Sequence, residues 1–294
     1  MDLKQLFADV ARALQSELVG YVKLEGGSSA DVWRLDLSEG DTTRSVVFRQ
    51  HRAGELKEHE AGIAGKEFRL LGRLSELGLP VARPIHLDEQ RRFLITEFVA
   101  GSATVDADAV GPAIVQMADL LARIHSIHVS LISDVGLAPL EDPIERLRTC
   151  LPAIPAGRQL ESLLDTDQIA MHLNKPVLMH GDYWPGNVLW MQGKIAVLID
   201  WEDACLGDPV ADLACARVEL LCQYGQAAMH DFTTHYLDRI KSIDIRSLAI
   251  WECYVSATAL TSMHLWELDP LEEARRRSVT EAFFTRATAS VDST

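Results

Sequence analysis

Apolar residues come in short strand-like blocks before residue 98 and recur at helical spacing after residue 101. No other feature of the chain constrains its fold as strongly. The early blocks cover residues 21–24, 31–37, 45–50, 85–87 and 93–98. They are parted by turn signals: Glu25-Gly26-Gly27-Ser28-Ser29, Gly40-Asp41, and the charged stretch 88–92. Two helical patterns accompany them. Leu3, Leu6, Phe7, Val10, Ala11, Leu14 and Leu18 make one, with Gly20 as its expected end. Residues 55–77 make the other, with Phe68, Leu71, Leu74 and Leu77 as its stripe. Later helices are expected over 109–128, 144–151, 159–173, 213–224, 227–241, 247–266 and 271–289. Strands first and helices second predict an α+β chain with two lobes, 1–98 and 99–294, and not a βαβ alternation. The space between two lobes is the expected ligand site.

Charge narrows the partners. The 294 residues carry 28 basic and 43 acidic side chains, a net charge of −15. That argues against nucleic acid and anionic membranes. It suits a cationic substrate, and it suits a solvated acidic surface equally well. Cys150, Cys205, Cys215, Cys222 and Cys253 are odd in number and irregular in spacing, which fits free thiols in a reducing cytoplasm. The amphipathic start does not read as a signal peptide, and no apolar run approaches membrane-spanning length.

The chemistry concentrates in residues 176–203. Two apolar runs, 177–179 and 195–199, each end in polar residues: His180-Gly181-Asp182, then Asp200-Trp201-Glu202. Pro185-Gly186, Asn187, a short strand at 188–191 and a turn at Gln192-Gly193 lie between them. Strand ends thus deliver Asp182, Asn187 and Asp200. Phosphoryl transfer asks little more of a protein than a group that orients the attacking hydroxyl and oxygen ligands for magnesium. One Asp and one Asn suffice beside phosphate oxygens. Asp and Asn are also ordinary turn residues, but His180, Asp182, Asn187 and Asp200 match the kinase arrangement in order. A glycine-serine hairpin tip at Gly26, Gly27, Ser28 and Ser29 can bring backbone N–H groups to phosphates.

The segments HGDYWPGNVLW and IDWEDACLGDPVADLA resemble the aminoglycoside phosphotransferase and choline kinase family, small-molecule kinases with a protein-kinase-like fold. Tyr183 and Trp184 replace the Leu and His of its commoner HGDLHPGN. The resemblance is strong over 176–214 and looser over 20–125. It implies ATP or GTP and Mg²⁺ as cofactors, with Asp182 as catalytic base and Asn187 and Asp200 as metal ligands. It places Arg49 where protein kinases carry a phosphate-binding lysine, and Glu67 as its ion-pair partner, with Glu60 as the alternative. It implies a hinge at residues 96–101, where backbone groups of Glu97 and Val99 meet adenine. His125 closes a helix as the family's histidine does, and reads as a packed or capping residue.

For the acceptor, the expectation is a small hydroxylated molecule with positive charge, such as an aminoglycoside, amino sugar or amino alcohol. Trp184 with Glu202 and Asp203 offers an indole beside carboxylates, which attracts cations. Core packing of Trp184 and Trp201 is the competing reading. Two other functions compete with the kinase. A non-catalytic nucleotide-binding module would account for Arg49 and the reduced glycine loop. A metal hydrolase using His180, Asp182 and Asp200 lacks a second clustered histidine.

Overall fold

The structure, a computed structural model, describes residues 2–24, 30–51, 62–90, 92–165 and 171–291. The chain divides into two compact units. The smaller holds Met1–Gly101, Asp134–Gly136 and Ala196–Glu202; the larger holds Ser102–Ser133, Leu137–Ile195 and Asp203–Thr294.

In the smaller unit, α1 (Leu3–Ala13) starts at Asp2, whose carboxylate accepts the Lys4 N–H at 3.1 Å. It ends earlier than its apolar spacing suggests. Gln15 takes a left-handed φ of 56°, and β1 (Glu17–Lys23) begins two residues on, so Leu18 and Gly20 lie in a strand. β2 (Ala30–Glu39) and β3 (Thr42–His51) follow, then α2 (Ile63–Glu76), β4 (Pro84–Asp88) and β5 (Phe93–Glu97). The sheet runs β1-β2-β3-β5-β4, antiparallel at every pairing. Alternation along β3 sends Val46 and Phe48 into a core with Leu6, Phe7 and Val10 of α1. Arg49 and His51 have the opposite parity and meet α2. That helix buries Ile63, Ala64, Glu67, Leu70, Leu71 and Leu74. Leu77, expected in the stripe, is its C-cap and is exposed.

The larger unit opens with α3 (Val110–His125). α4 (Pro143–Cys150) follows, with Asp142 accepting from the Ile144 N–H at 2.8 Å, then α5 (Arg158–Asp165). Residues 171–176 are not helical, so the helix expected over 159–173 is cut short. β6 (Val177–Met179), β7 (Val188–Met191), β8 (Lys194–Leu198) and β9 (Cys205–Gly207) come next, and the chain enters the smaller unit within β8. β6 pairs antiparallel with β9, a three-residue strand that no sequence periodicity announces. α6 (Pro209–Tyr224) is capped by Asp208, which accepts the Val210 N–H at 2.9 Å, with Pro209 at its first position. α7 (Gln226–Arg239), α8 (Leu248–Ser262) and α9 (Pro270–Val291) complete the unit. Met179, Cys205, Val210, Ala211, Ala214 and Trp251 form a core beneath β6 and so fix the strand that leads to Asp182. Leu147, Leu160, Ile250 and Phe284 belong to a second core. All five cysteines are free thiols. Among the described residues no helix is long and apolar enough to cross a membrane.

Candidate active site

In the smaller unit the site begins with Arg49, half-buried on the α2 side of β3. Its Nη2 donates to Asp200 Oδ1 at 2.5 Å and to Glu202 Oε2 at 2.9 Å, and its Nε lies 3.6 Å from Glu67 Oε2. The sequence places Arg49 beside Glu67, and the structure brings the two together. Burial works against the guanidinium charge, but Glu67, Asp200 and Glu202 outweigh it and hold the proton more tightly than usual. Glu67 is driven the other way: burial would raise its carboxyl pKa, yet Arg49 and His51 bring it below the usual value.

His51 is the member that sequence reasoning missed. It lies two residues after Arg49 on the same face of β3, and that period-two spacing was the available signal. Its Nε2 is 3.0 Å from Glu67 Oε2 and its Nδ1 is 3.1 Å from Glu202 Oε2. A carboxylate only accepts, so both ring nitrogens donate, and the ring is an imidazolium. Burial opposes that charge, and the bonds to Glu202 and Glu67 overcome it, raising the His51 pKa above 6.5.

Asp200 follows β8 with a φ of 68°. Left-handed backbone costs an Asp about 1–2 kcal/mol at most, and it turns the carboxylate out of the strand direction. Glu202 is buried against Arg49 and His51, so it is not a solvated loop carboxylate. Trp201 is a core residue, 1% exposed, with its indole N–H donating to the Leu198 carbonyl at 3.1 Å. At the end of β5, Glu97 accepts the Arg83 N–H through its side chain at 3.1 Å, and its own N–H donates to the Arg83 carbonyl at 2.9 Å. Val99 follows the strand, half-buried. Gly26, Gly27, Ser28, Ser29 and Glu60 lie outside the described residues.

In the larger unit, β6 leads into His180-Gly181-Asp182. The Asn187 side-chain amide donates to the Asp182 carboxylate at 3.0 Å and to the Asp182 carbonyl at 2.9 Å. This fixes the Asp182 carboxylate and leaves the amide oxygen of Asn187 at the far end. Gly181 has a φ of 85°, and an added Cβ would fall 2.3 Å from the Asp203 carbonyl, so only glycine fits. The Asp203 side chain is exposed.

Asp212, on the first turn of α6, anchors this loop. Its Oδ2 accepts the His180 N–H at 2.8 Å and its Oδ1 the Gly181 N–H at 3.0 Å. His125 Nε2 also meets Oδ2, at 3.1 Å, while Nδ1 lies 2.7 Å from the Tyr236 hydroxyl. His125 is therefore a buried support for Asp212, as the packed reading expects. Burial would raise the Asp212 pKa, but His125, His180 and the backbone donor hold it below the usual carboxylate range.

The two motif departures have partners too. Tyr183 is buried and donates its hydroxyl to the Met117 carbonyl at 2.8 Å. Trp184 carries the Arg276 guanidinium over its ring, 5.6 Å from the centroid. The cation seat expected for an acceptor thus already holds a cation of the chain itself.

Each unit carries one oxygen side chain of a kind that a hard divalent ion takes. Asp200 offers a carboxylate and Asn187 an amide oxygen, the ligands magnesium takes alongside phosphate and water. Among the described residues no group of three His, Cys, Asp or Glu side chains forms a self-sufficient metal site.

Comparison with known proteins decides the family. The family model described as the phosphotransferase enzyme family matches residues 20–249. The chain belongs to this family. Among solved structures, this phosphotransferase-family chain resembles the GDP complex of aminoglycoside 2'-phosphotransferase-IIIa, with a TM-score of 0.70 and 16% identity, covering 97% of this chain and 98% of that one. Choline kinase LicA from Streptococcus pneumoniae gives 0.67 at 18% identity, over 100% of both chains. Macrolide 2'-phosphotransferase type I gives 0.66 at 18%, over 94% of this chain and 95% of that one. These likenesses establish the α+β, protein-kinase-like fold. A curated relative, acyl-CoA dehydrogenase family member 10 of Mus musculus, is 26% identical over 235 residues. The match takes in 69% of this chain and spans 21% of that relative's length.

Proposed function

We propose that this phosphotransferase-family chain transfers the γ-phosphoryl group of ATP or GTP to a hydroxyl of a small molecule. The carrying observation is the Asp182–Asn187 pair: a carboxylate at the end of a buried strand, held through its own loop amide at 3.0 Å. In this reading Asp182 orients the acceptor hydroxyl and takes its proton. Asn187 and Asp200 hold magnesium, which when bound neutralises charge on the phosphate oxygens. Arg49 presents positive charge to the nucleotide and is kept in place by Glu67 and Glu202. In the same reading the phosphates are assigned to Gly26, Gly27, Ser28 and Ser29, which lie outside the described residues, and the base to backbone groups of Glu97 and Val99. The acceptor is a small hydroxylated molecule, and a cationic one suits the net charge of −15.

One observation favours a second reading, a non-catalytic nucleotide-binding module. Arg49 lies on Asp200 at 2.5 Å, so the phosphate-binding cation and a metal ligand neutralise each other. Coupled nucleotide turnover separates the two. The screen uses ATP and GTP with aminoglycosides, macrolides, choline, amino sugars and neutral sugars. A kinase shows acceptor-dependent turnover that Asp182→Asn lowers at least ~100-fold, the range for a positioned acid–base group. Its nucleotide affinity changes far less. Equal turnover in wild type and Asp182→Asn, or none with any acceptor, removes the kinase reading.

A further inference from the structure

Trp184 stands between Asp182 and Asn187, where the family's commoner motif carries a histidine, and its surroundings give the substitution a purpose. The indole packs onto the turn that follows it: a Cβ on Gly186 would fall 2.1 Å from the six-membered ring. Its backbone carbonyl accepts the Asn187 N–H at 3.1 Å. Over the ring lies Arg276 of α9, which is 9% exposed. Arg276 is fixed twice: Nη1 donates to Glu219 Oε2 of α6 at 2.7 Å, and Nε donates to Glu272 Oε1 at 2.8 Å. Carboxylate clamps of this kind orient the planar guanidinium and leave its face for the aromatic ring. A continuous line of contacts therefore runs from Glu219 and Glu272 through Arg276 and Trp184 to Asn187 and the Asp182 carboxylate.

We infer that Arg276 is a positioning residue for the Asp182–Asn187 loop, acting through Trp184, and that it closes the indole to a cationic acceptor. The inference rests on the kinase reading of Asp182 for its effect on transfer, while the contact itself is testable without it. Arg276 does not touch the reacting atoms. It holds the loop in register, and small displacements of a positioned group lower transfer by about 100-fold per ångström. The positive charge over Trp184 comes from within the chain, so an acceptor ammonium has to be read elsewhere.

The test uses the full chain labelled with fluorotryptophan, with the Trp184 signal assigned through Trp184→Phe among the six tryptophans. In Arg276→Gly, the Trp184 fluorine resonance is expected to shift or broaden. Guanidinium at a sub-denaturing concentration should refill the seat between Glu219, Glu272 and the ring and restore it. Arg276→Lys, which keeps a cation over the ring, should stay near the wild-type shift, whereas Arg276→Gln, which removes the charge, should move it as glycine does and decides the matter should Arg276→Gly fail to melt cooperatively. In the turnover assay, Arg276→Gly should lower kcat at least ~10-fold with nucleotide KM unchanged, and guanidinium should recover much of the loss. A Trp184 resonance indifferent to Arg276→Gly, or to Arg276→Gln where glycine unfolds the chain, overturns the contact. A moved resonance with an unchanged kcat overturns the positioning role. A wild-type protein inert toward every acceptor fails the kinase reading instead, and the resonance still decides the contact.

Discussion

Asp212→Asn tests the anchor of the loop that carries His180, Gly181 and Asp182. The wild-type carboxylate serves three donors: the His180 N–H at 2.8 Å, the Gly181 N–H at 3.0 Å and His125 Nε2 at 3.1 Å. Asparagine keeps one acceptor oxygen and turns the other into a donor. With its oxygen in the place of Oδ2, it still meets His180 and His125, but its NH₂ faces the Gly181 N–H donor to donor. One unmatched buried donor costs ~1–3 kcal/mol, and the two surviving bonds lose charge assistance worth ~1 kcal/mol each. Removing a charge that is 1% exposed returns part of its desolvation. The net loss is therefore ~2–4 kcal/mol, a large fraction of a typical domain's stability but not all of it. Urea denaturation at pH 7 measures it. The Asp212 pKa is depressed in the folded state, so its contribution is full above about 3.8 and fades as pH falls through the lower folded value. The variant should accordingly lose the acid limb that this group supplies, and the gap between the two proteins should narrow toward low pH. An unchanged midpoint at pH 7, or a gap that widens with acid, refutes the anchor.

Three further outcomes follow from the geometry. His51 has a raised folded pKa between Glu67 and Glu202, so its stabilisation is full below 6.5 and is lost as pH rises through the raised value. The stability difference between wild type and His51→Gln should shrink from pH 6.5 upward, read from urea midpoints; growth with pH contradicts the imidazolium. Asp200→Asn keeps a residue type that tolerates the φ of 68° but removes the charge, so nucleotide affinity should lose its dependence on magnesium in calorimetry. Equal magnesium dependence in both proteins rules Asp200 out as a ligand. Gly186→Ala puts a methyl into the Trp184 ring and should lower stability by ~1–3 kcal/mol, the range for overpacking; a neutral effect in the same melts shows that the indole lies elsewhere.

Much of this protein is written locally. Alternation along β3 sends Phe48 to the core and Arg49 to α2, and a period of two also carries His51 to that face. Asp142 and Asp208 announce α4 and α6 as N-caps followed by proline. The end of α1 was not legible, because Leu14 and Leu18 continue the helical spacing through a left-handed Gln15 that no residue type demands. β9 was not legible either. Three residues have no period, and the strand exists because β6 pairs with it.

The candidate site divides along the same line. The positions of Asp182, Asn187 and Asp200 at strand ends and turns were readable because all three lie within one short stretch, where spacing carries meaning. What those residues touch depends on partners far along the chain. Glu202 looked like an open carboxylate beside an indole, and it is buried on Arg49 and His51, more than 150 residues upstream. Trp184 looked like a seat for a foreign cation, and α9 supplies its cation as Arg276. In both cases the sequence offered the right chemistry, a carboxylate or a ring that attracts positive charge, and the fold brought in a cation from the chain itself. A buried anion is stable only when paired, so an unpaired Glu202 was the less economical expectation. Two of these native cations, Arg49 and Arg276, are arginines, whose planar, multiply bonded head groups are poorly replaced by a mobile ammonium. On the proposed kinase reading, a cationic acceptor has to be recognised by side chains that these arginines do not already occupy.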